Sequence, residues 1–280
     1  MKAGRIDEQL RAGRKALRTL PGALLLGSTG ARLWADYLDP KPGFSGRFDF
    51  IHKVNIPLLY AVSASGTESF EPCRTAWYPS HLRMEYEDNR VSFREQKFIT
   101  WDDCAVSFQS WTNLGTEELV LRLETYGDVF HQTGNGLYGT FQLRHLSFHI
   151  DAALVSSDED LFREIRLKPG ETKDFMIAAA FGISGQDLPD VLTRRACGYA
   201  LSGRPHAETV ADYIDAYNEW FEHIPDFRCS DPLLNKTWTY RWFLLRHNLA
   251  DPKYGHLSCC LVSKPRSQPG SGRTAATGTN

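Results

Sequence analysis

The sequence predicts a mainly β protein that closes with C-terminal helices. Three observations carry this. Apolar residues recur at every second position, between turn residues, from about residue 48 to residue 183. After Gly185 the period lengthens to that of a helix. The last helical stretch, 233–249, is apolar almost all round, the pattern of a helix meant for the inside of a larger helical assembly.

The strands follow in order. Leu82, Met84 and Tyr86 alternate, Asp88-Asn89 punctuates, and Val91 and Phe93 alternate on the way back, which predicts a hairpin. A second hairpin is expected to pair Val106 and Phe108 with Leu119, Leu121 and Leu123 around Asn113-Leu-Gly115. Phe141 and Leu143 lead into Leu146, Phe148 and Ile150. A last hairpin is expected to join Phe162-Arg-Glu-Ile-Arg-Leu167 to Phe175-Met-Ile-Ala-Ala-Ala-Phe181 through Lys168-Pro-Gly-Glu171, where Pro and Gly supply the turn dihedrals. Strands this regular, with no helical pattern between them, predict a large antiparallel sandwich.

The helices come next. Leu188, Val191 and Leu192 open one with Pro189 in its first turn and Gly203 closing it. In 206–224, Val210, Tyr213, Ile214, Tyr217, Trp220, Phe221 and Ile224 form one apolar stripe, and Pro225 stops it. Ser230-Asp231-Pro232 then supplies a cap and a first-turn Pro for the third helix. From residue 258 onward there is no aromatic residue and almost nothing to bury, so 258–280 is expected to be disordered.

Composition bounds the function. The 280 residues, 42% hydrophobic and 24% charged, suit a globular protein with a sizeable core. A net charge of −2 and a pI near 6.5 give no basic footprint for nucleic acid. No apolar run is long enough to span a bilayer. The N-terminal basic residues are mixed with Asp7 and Glu8 and precede only a short apolar run, so 1–31 reads as a lead-in and not as a signal peptide. Six cysteines without framework spacing favour a reducing, cytoplasmic setting.

Two long segments carry a resemblance. The run from Met84-Glu-Tyr-Glu-Asp-Asn-Arg through Trp101-Asp-Asp-Cys-Ala-Val-Ser107, continued by Trp111-Thr-Asn-Leu-Gly115 and Phe162-Arg-Glu-Ile-Arg-Leu-Lys-Pro-Gly-Glu171, resembles the β-supersandwich that precedes a six-hairpin (α/α)6 barrel. Phe227-Arg-Cys-Ser-Asp-Pro-Leu-Leu-Asn-Lys-Thr-Trp-Thr-Tyr-Arg-Trp-Phe-Leu-Leu-Arg-His-Asn248 resembles the first barrel helix of mannosylglycerate-hydrolase-like and related α-glucosidase families. The resemblance implies an antiparallel β-supersandwich over 32–185, linker helices over 186–225, and the start of an incomplete barrel over 226–257. It further implies a glycoside hydrolase acting on α-glucosidic or α-mannosidic bonds without an organic cofactor. Its acid and base lie deeper in the barrel, so this chain is expected to be inactive by itself. A non-catalytic carbohydrate-binding or interaction module is the alternative.

Candidate site residues lie on the third helix. Trp238, Trp242 and Arg246 fall at i, i+4 and i+8 and share one stripe. An indole face stacks on the apolar face of a pyranose, and a guanidinium donates to its hydroxyls. Tyr240, His247 and Asn248 are further polar candidates, and the resemblance lifts Trp242, Arg246 and Asn248 as sugar-side residues. Against this stands the ordinary role of helically spaced aromatics, which is core packing. The same apolar helix, short of covering partners in this chain, is expected to drive self-association.

Other patterns are weaker. Asp102-Asp103 and Glu117-Glu118 are adjacent acids that point to opposite faces of a strand, so they read as solvated turn residues. Gly134-Asn-Gly-Leu-Tyr-Gly139 matches the dinucleotide pattern, yet a strand and not a helix follows, so it reads as a loop. His256 with Cys259-Cys260 and Cys229 lacks zinc spacing, and no metal is expected. The sequon Asn235-Lys-Thr237 falls inside the predicted helix.

Overall fold

The structure, a computed structural model, describes residues 6–13, 26–27, 33–39, 41–50, 54–67, 74–125, 130–134, 136–141, 149–250 and 261–262. Among these, two antiparallel sheets form the body. Strands β1 (Ala12–Gly13), β5 (Arg74–Trp77), β6 (Leu82–Glu87), β7 (Val91–Ile99), β8 (Cys104–Asn113), β14 (Thr172–Ile183), β12 (Ile150–Ser156), β11 (Gly136–Phe141) and β10 (Phe130–Thr133) lie in that spatial order in a nine-stranded sheet. The second sheet has five strands, in the order β13 (Ile165–Leu167), β9 (Leu119–Thr125), β4 (Val54–Ala64), β3 (Gly43–Phe50) and β2 (Leu33–Leu38). From 84 to 181 the only described helix is a single 3-10 turn, Glu159–Phe162. The mainly β sandwich read from the period is therefore the observed architecture.

The β6–β7 hairpin forms where the alternation places it, with Tyr86 opposite Phe93. Asp88 Oδ1 accepts the backbone N–H of Arg90 at 2.7 Å and of Val91 at 2.8 Å, closing the turn. The other two predicted hairpins are arches. β8 pairs with β7 and β14, whereas β9 pairs with β4 and β13 in the opposite sheet. Likewise β13 joins β9, and β14 joins β8 and β12. An arch and a hairpin share turn residues and alternation, and only the distant partner strand tells them apart. The strand pair at 141–150 is seen at its ends, Phe141 opposite Ile150, while 142–148 lies outside the described residues.

One buried side chain ties the two arches together. Asn113 Nδ2 donates to the carbonyls of Glu117 (2.7 Å) and Leu167 (2.8 Å), and its Oδ1 accepts the N–H of Gly115 at 2.9 Å. Its own backbone bonds Glu171 and Gly170 across the second arch, where Gly170 takes a φ of 79°.

Pairing fixes which residues face inward. Phe93, Glu95 and Lys97 share the inner face with Trp111, Gln109 and Ser107. There Glu95 and Lys97 form a fully buried ion pair at 3.2 Å. Glu95 Oε1 accepts from Gly43 N (2.8 Å), Ser107 Oγ (2.5 Å) and Gln109 Nε2 (3.1 Å), and Gln109 Oε1 accepts from Trp111 Nε1 at 2.9 Å. Lys97 Nζ donates to the carbonyls of Lys41 and Gly43, so the polar chain stitches β7 and β8 to the opposite sheet. Burial depresses the Lys97 ammonium, and Glu95 opposes that shift.

The outer face of the large sheet is covered by helices α2 (Pro189–Ala200) and α3 (His206–Phe221), which begin and end near the positions the sequence marks. Phe98 stacks on Tyr213 at 4.1 Å, Phe108 meets His206 at 5.6 Å, and Tyr213 OH donates to the Ile99 carbonyl at 2.7 Å. Helix α4 (Pro232–His247) and the short α1 (Ile6–Leu10) pack together beside β5, where Phe243 meets Trp77 edge-on at 5.4 Å. The outward face of α4 stays bare: Leu233 is 69% exposed and Leu234 52%, with Tyr240 and Leu245 beside them. No helix among the described residues is long and apolar enough to cross a membrane. Of the tail, only Leu261–Val262 is described, paired with Leu249–Ala250.

The acid pairs part company. Glu117 and Glu118 are exposed, Glu118 bonding Arg166 at 2.7 Å. Asp103 is buried with a φ of 66°, and its carboxylate accepts Leu33 N–H at 3.0 Å. Asp102 accepts the Tyr199 hydroxyl at 2.9 Å and the Thr100 hydroxyl. The solvated reading of Asp102-Asp103 is thus corrected, because this turn anchors α2 and β2 to the sheet. Of the glycine motif, residues 136–139 belong to strand β11 itself and pair with β10, so the loop reading is corrected for them, and the strand, not a helix, continues to Phe141. Gly136 is needed there because a Cβ would stand 2.4 Å from the Leu154 carbonyl.

Candidate functional site

Helix α4 is launched by its cap. Asp231 accepts Leu233 N–H at 2.8 Å and Leu234 N–H at 3.4 Å, with Pro232 needing no such partner. Asn235 then clasps the preceding turn, accepting Cys229 N–H and donating to Cys229 carbonyl, each at 2.9 Å. The sequon asparagine is therefore a structural brace. One turn on, Trp238 Nε1 donates to the Pro225 carbonyl at 3.0 Å, which fixes the indole beside the linker that joins α3 to α4, residues 222–231.

That linker, the end of α3, the start of α4 and α1 enclose an open groove of about 910 Å³. Phe227 and Trp238 make its aromatic wall, with ring centroids 5.2 Å apart and planes at 32°. Glu222, His223, Asp226, Arg228 and Lys236 contribute the polar lining. Asp226 and Arg228 are paired at 2.9 Å. Asn218, Thr239 and Gln9 lie deeper, where Thr239 Oγ1 donates to Gln9 Oε1 at 2.7 Å.

Below the groove a buried polar cluster binds three elements together. Asp7 of α1 accepts Ser80 N–H at 3.0 Å, Ser80 Oγ at 2.5 Å and Asn218 Nδ2 at 2.8 Å. Because the Ser80 hydroxyl proton goes to Asp7, His81 Nδ1 donates to Ser80 Oγ, 2.8 Å away. The His81 ring stacks on Tyr78 at 4.5 Å. Burial pushes the His81 imidazole down to about 4; Asp7 opposes the shift and Arg83 adds to it. Unfolded, the same imidazole titrates near its ordinary value of ~6.5. Since the unfolded chain then binds the extra proton, this stability is present above pH ~6.5 and is lost as pH falls through about 4. We expect a loss on the order of 2–3 kcal/mol across that window. Urea melts of wild type and His81→Gln between pH 4 and 7 measure it. Equal slopes in the two proteins would remove His81 as the source.

The residues expected from the sequence are separated by the fold. Trp238 reaches the groove. Trp242 is half-buried and meets Trp238 edge-on at 6.2 Å, behind the groove wall. Arg246 is turned into the seam between α3 and α4. Its guanidinium lies 4.1 Å from the Tyr217 ring centre and 4.9 Å from those of Trp220 and Phe221, and it donates to the Tyr217 carbonyl at 2.5 Å. Asn248 follows the last turn, its side chain donating to the Leu244 carbonyl at 2.7 Å. Tyr240 is exposed, and His247 packs against Phe243 at 5.9 Å. Phe227, His223, Asn218 and Gln9 were not legible as site residues, because no periodicity links a lead-in helix to a linker over two hundred positions away. Among the described residues no cluster suited to a metal ion occurs, and Cys104, Cys197 and Cys229 are free. His256, Cys259 and Cys260 lie outside the described residues.

No protein-family model matches the chain, and no curated protein matches it. Solved structures do. A protein from the human microbiome assigned as a kojibiose phosphorylase superposes with a TM-score of 0.54 and 11% identity. The match covers 89% of this chain and 41% of that one. A family GH92 alpha-mannosidase from Bacteroides thetaiotaomicron shares 12% identity over 73% of this chain and 34% of its own, with a TM-score of 0.34, too low to establish a common fold. This chain therefore shares its fold, an antiparallel β-sandwich followed by helices, with a stretch spanning about two fifths of the phosphorylase's length.

Proposed function

We propose that this chain is the sandwich-and-linker portion of a carbohydrate-active enzyme of glycoside-hydrolase type, directed at α-glucosidic or α-mannosidic bonds and inactive by itself. The supporting observation is the continuity of sandwich, covering helices and the bare-faced helix α4, matched across 89% of the chain by the kojibiose phosphorylase structure. Glycosidic cleavage requires an acid and a carboxylate held ~5–5.5 Å apart for retention or ~6.5–9.5 Å apart for inversion. The carboxylates near α4 are otherwise engaged, Asp231 in capping and Asp226 with Arg228. We assign the acid and base to a part of the enzyme outside this chain. On the sugar side we place Trp238, Trp242 and Asn248, with Arg246 holding the helix from behind.

Purified chain offered α-glucosides, α-mannosides and mannosylglycerate is expected to turn over none of them. It is expected to keep a sugar affinity that Trp242→Ala weakens by about 1–3 kcal/mol, the scale of a lost aromatic contact. Robust turnover that disappears in Asp231→Asn would overturn the assignment. The second reading, a non-catalytic carbohydrate-binding module, is favoured by one observation, the groove beside Trp238, which lies on this chain entirely.

A further inference from the structure

From the groove between α3 and α4 we infer a binding site for a neutral sugar of one or two pyranose units, with Phe227 and Trp238 as its stacking wall. The inference rests on the carbohydrate reading above and deepens it. A volume of about 910 Å³ lies at the upper end of the range of small-ligand sites. The wall is built and held: the indole is fixed by its bond to the Pro225 carbonyl, and Phe227 stands 5.2 Å away at 32°. Phe227 is nonetheless 41% exposed, a large ring left facing the groove and not the core. The ring faces that this packed pair turns away from each other suit the apolar C–H faces of a pyranose.

The polar lining indicates what else the ligand carries. Asp226 and Arg228, paired at 2.9 Å, set an acceptor beside a fork of donors, which matches adjacent hydroxyls that donate and accept together. Among the described residues neither the His223 nor the Lys236 side chain makes a hydrogen bond or ion pair, so both side chains can serve a ligand. Glu222 and Asp226 formally cancel Arg228 and Lys236, so the groove has no charge excess to select a phosphate or a carboxylate. A polyol with apolar faces and no charge satisfies every part of this lining.

The test is calorimetric titration of the full chain with maltose, kojibiose and α-mannobiose, and with glucose 6-phosphate as the anionic probe. At least one neutral disaccharide is expected to bind. Phe227→Ala and Trp238→Ala are each expected to weaken it at least tenfold, and His223→Ala severalfold. Phe227 is exposed, so its variant is expected to keep the parental melting temperature, which covers the case in which Trp238→Ala fails to fold. Absence of neutral-sugar binding, tighter binding of glucose 6-phosphate, or unchanged affinity in Phe227→Ala would each overturn the site. Affinity that depends on Trp242 but not on Phe227 would overturn the groove and leave the enzyme reading standing. A change of oligomeric state in Phe227→Ala without a change in sugar affinity would show that a second copy of the chain occupies the groove, and would also overturn the site.

Discussion

Replacing Glu95 with Ala is expected to cost about 3–5 kcal/mol of folding stability, the largest single effect anticipated for this protein. The reason is that the Lys97 ammonium, fully buried, would lose the carboxylate 3.2 Å away while Gly43 N–H, Ser107 and Gln109 lose their shared acceptor. Removing the ammonium as Lys97→Met strands the carboxylate and the Lys41 and Gly43 carbonyls, and a similar loss is expected. The double variant Glu95→Ala with Lys97→Met removes both charges together. It is expected to cost less than the sum of the singles by about 2 kcal/mol, since contacting residues are not additive. Chemical denaturation of the four proteins measures this. Strict additivity would mean that the two side chains act independently and that the network is incidental to stability.

The second large effect is expected at Asn113. Its side chain makes three hydrogen bonds, to Glu117, Leu167 and Gly115, and all lie at the crossing of the two arches. At roughly 1 kcal/mol each, with a further penalty for carbonyls left unpaired in the interior, Asn113→Ala is expected to cost about 3–4 kcal/mol. For a chain of this size that lowers the melting temperature by roughly 10 °C. Glu117→Ala serves as the control, because Glu117 contributes only its backbone carbonyl to Asn113 and its side chain is exposed. A small effect at Asn113, or an equal effect at Glu117, would show that the arches hold without this brace.

The two predictions also mark where sequence pattern stops being informative. Alternation at Phe93, Glu95 and Lys97 is the alternation of an inward face, yet it puts two charges into the core. Read along the chain, a Glu and a Lys look like solvent-facing residues. Only the opposite sheet, which brings Gly43 and Lys41 over them, makes burial tolerable. Asn113 is similar. As a turn residue it was legible, but its partner at Leu167 is 54 positions away.

The groove is a sharper case. Trp238 was legible as a candidate from helical spacing, and the cap at Asp231 that positions its helix was legible too. Arg246 was legible only as a member of the same stripe. Its place in the seam with Tyr217, Trp220 and Phe221 was decided by how α4 lies against α3, and no spacing within either helix encodes that.

The sequence by itself determined the local conformations: where strands alternate, where Pro and Gly turn the chain, and where three helices start and stop. Those choices are set by sterics and side-chain direction within a few residues, so they can be read from a window. Tertiary structure alone decided that two apparent hairpins are arches, that Asp102 and Asp103 anchor elements instead of meeting water, and that a lead-in helix and a linker close one groove. Each of these depends on a partner far along the chain, and burial energies that choose among distant partners leave no periodic trace at either position.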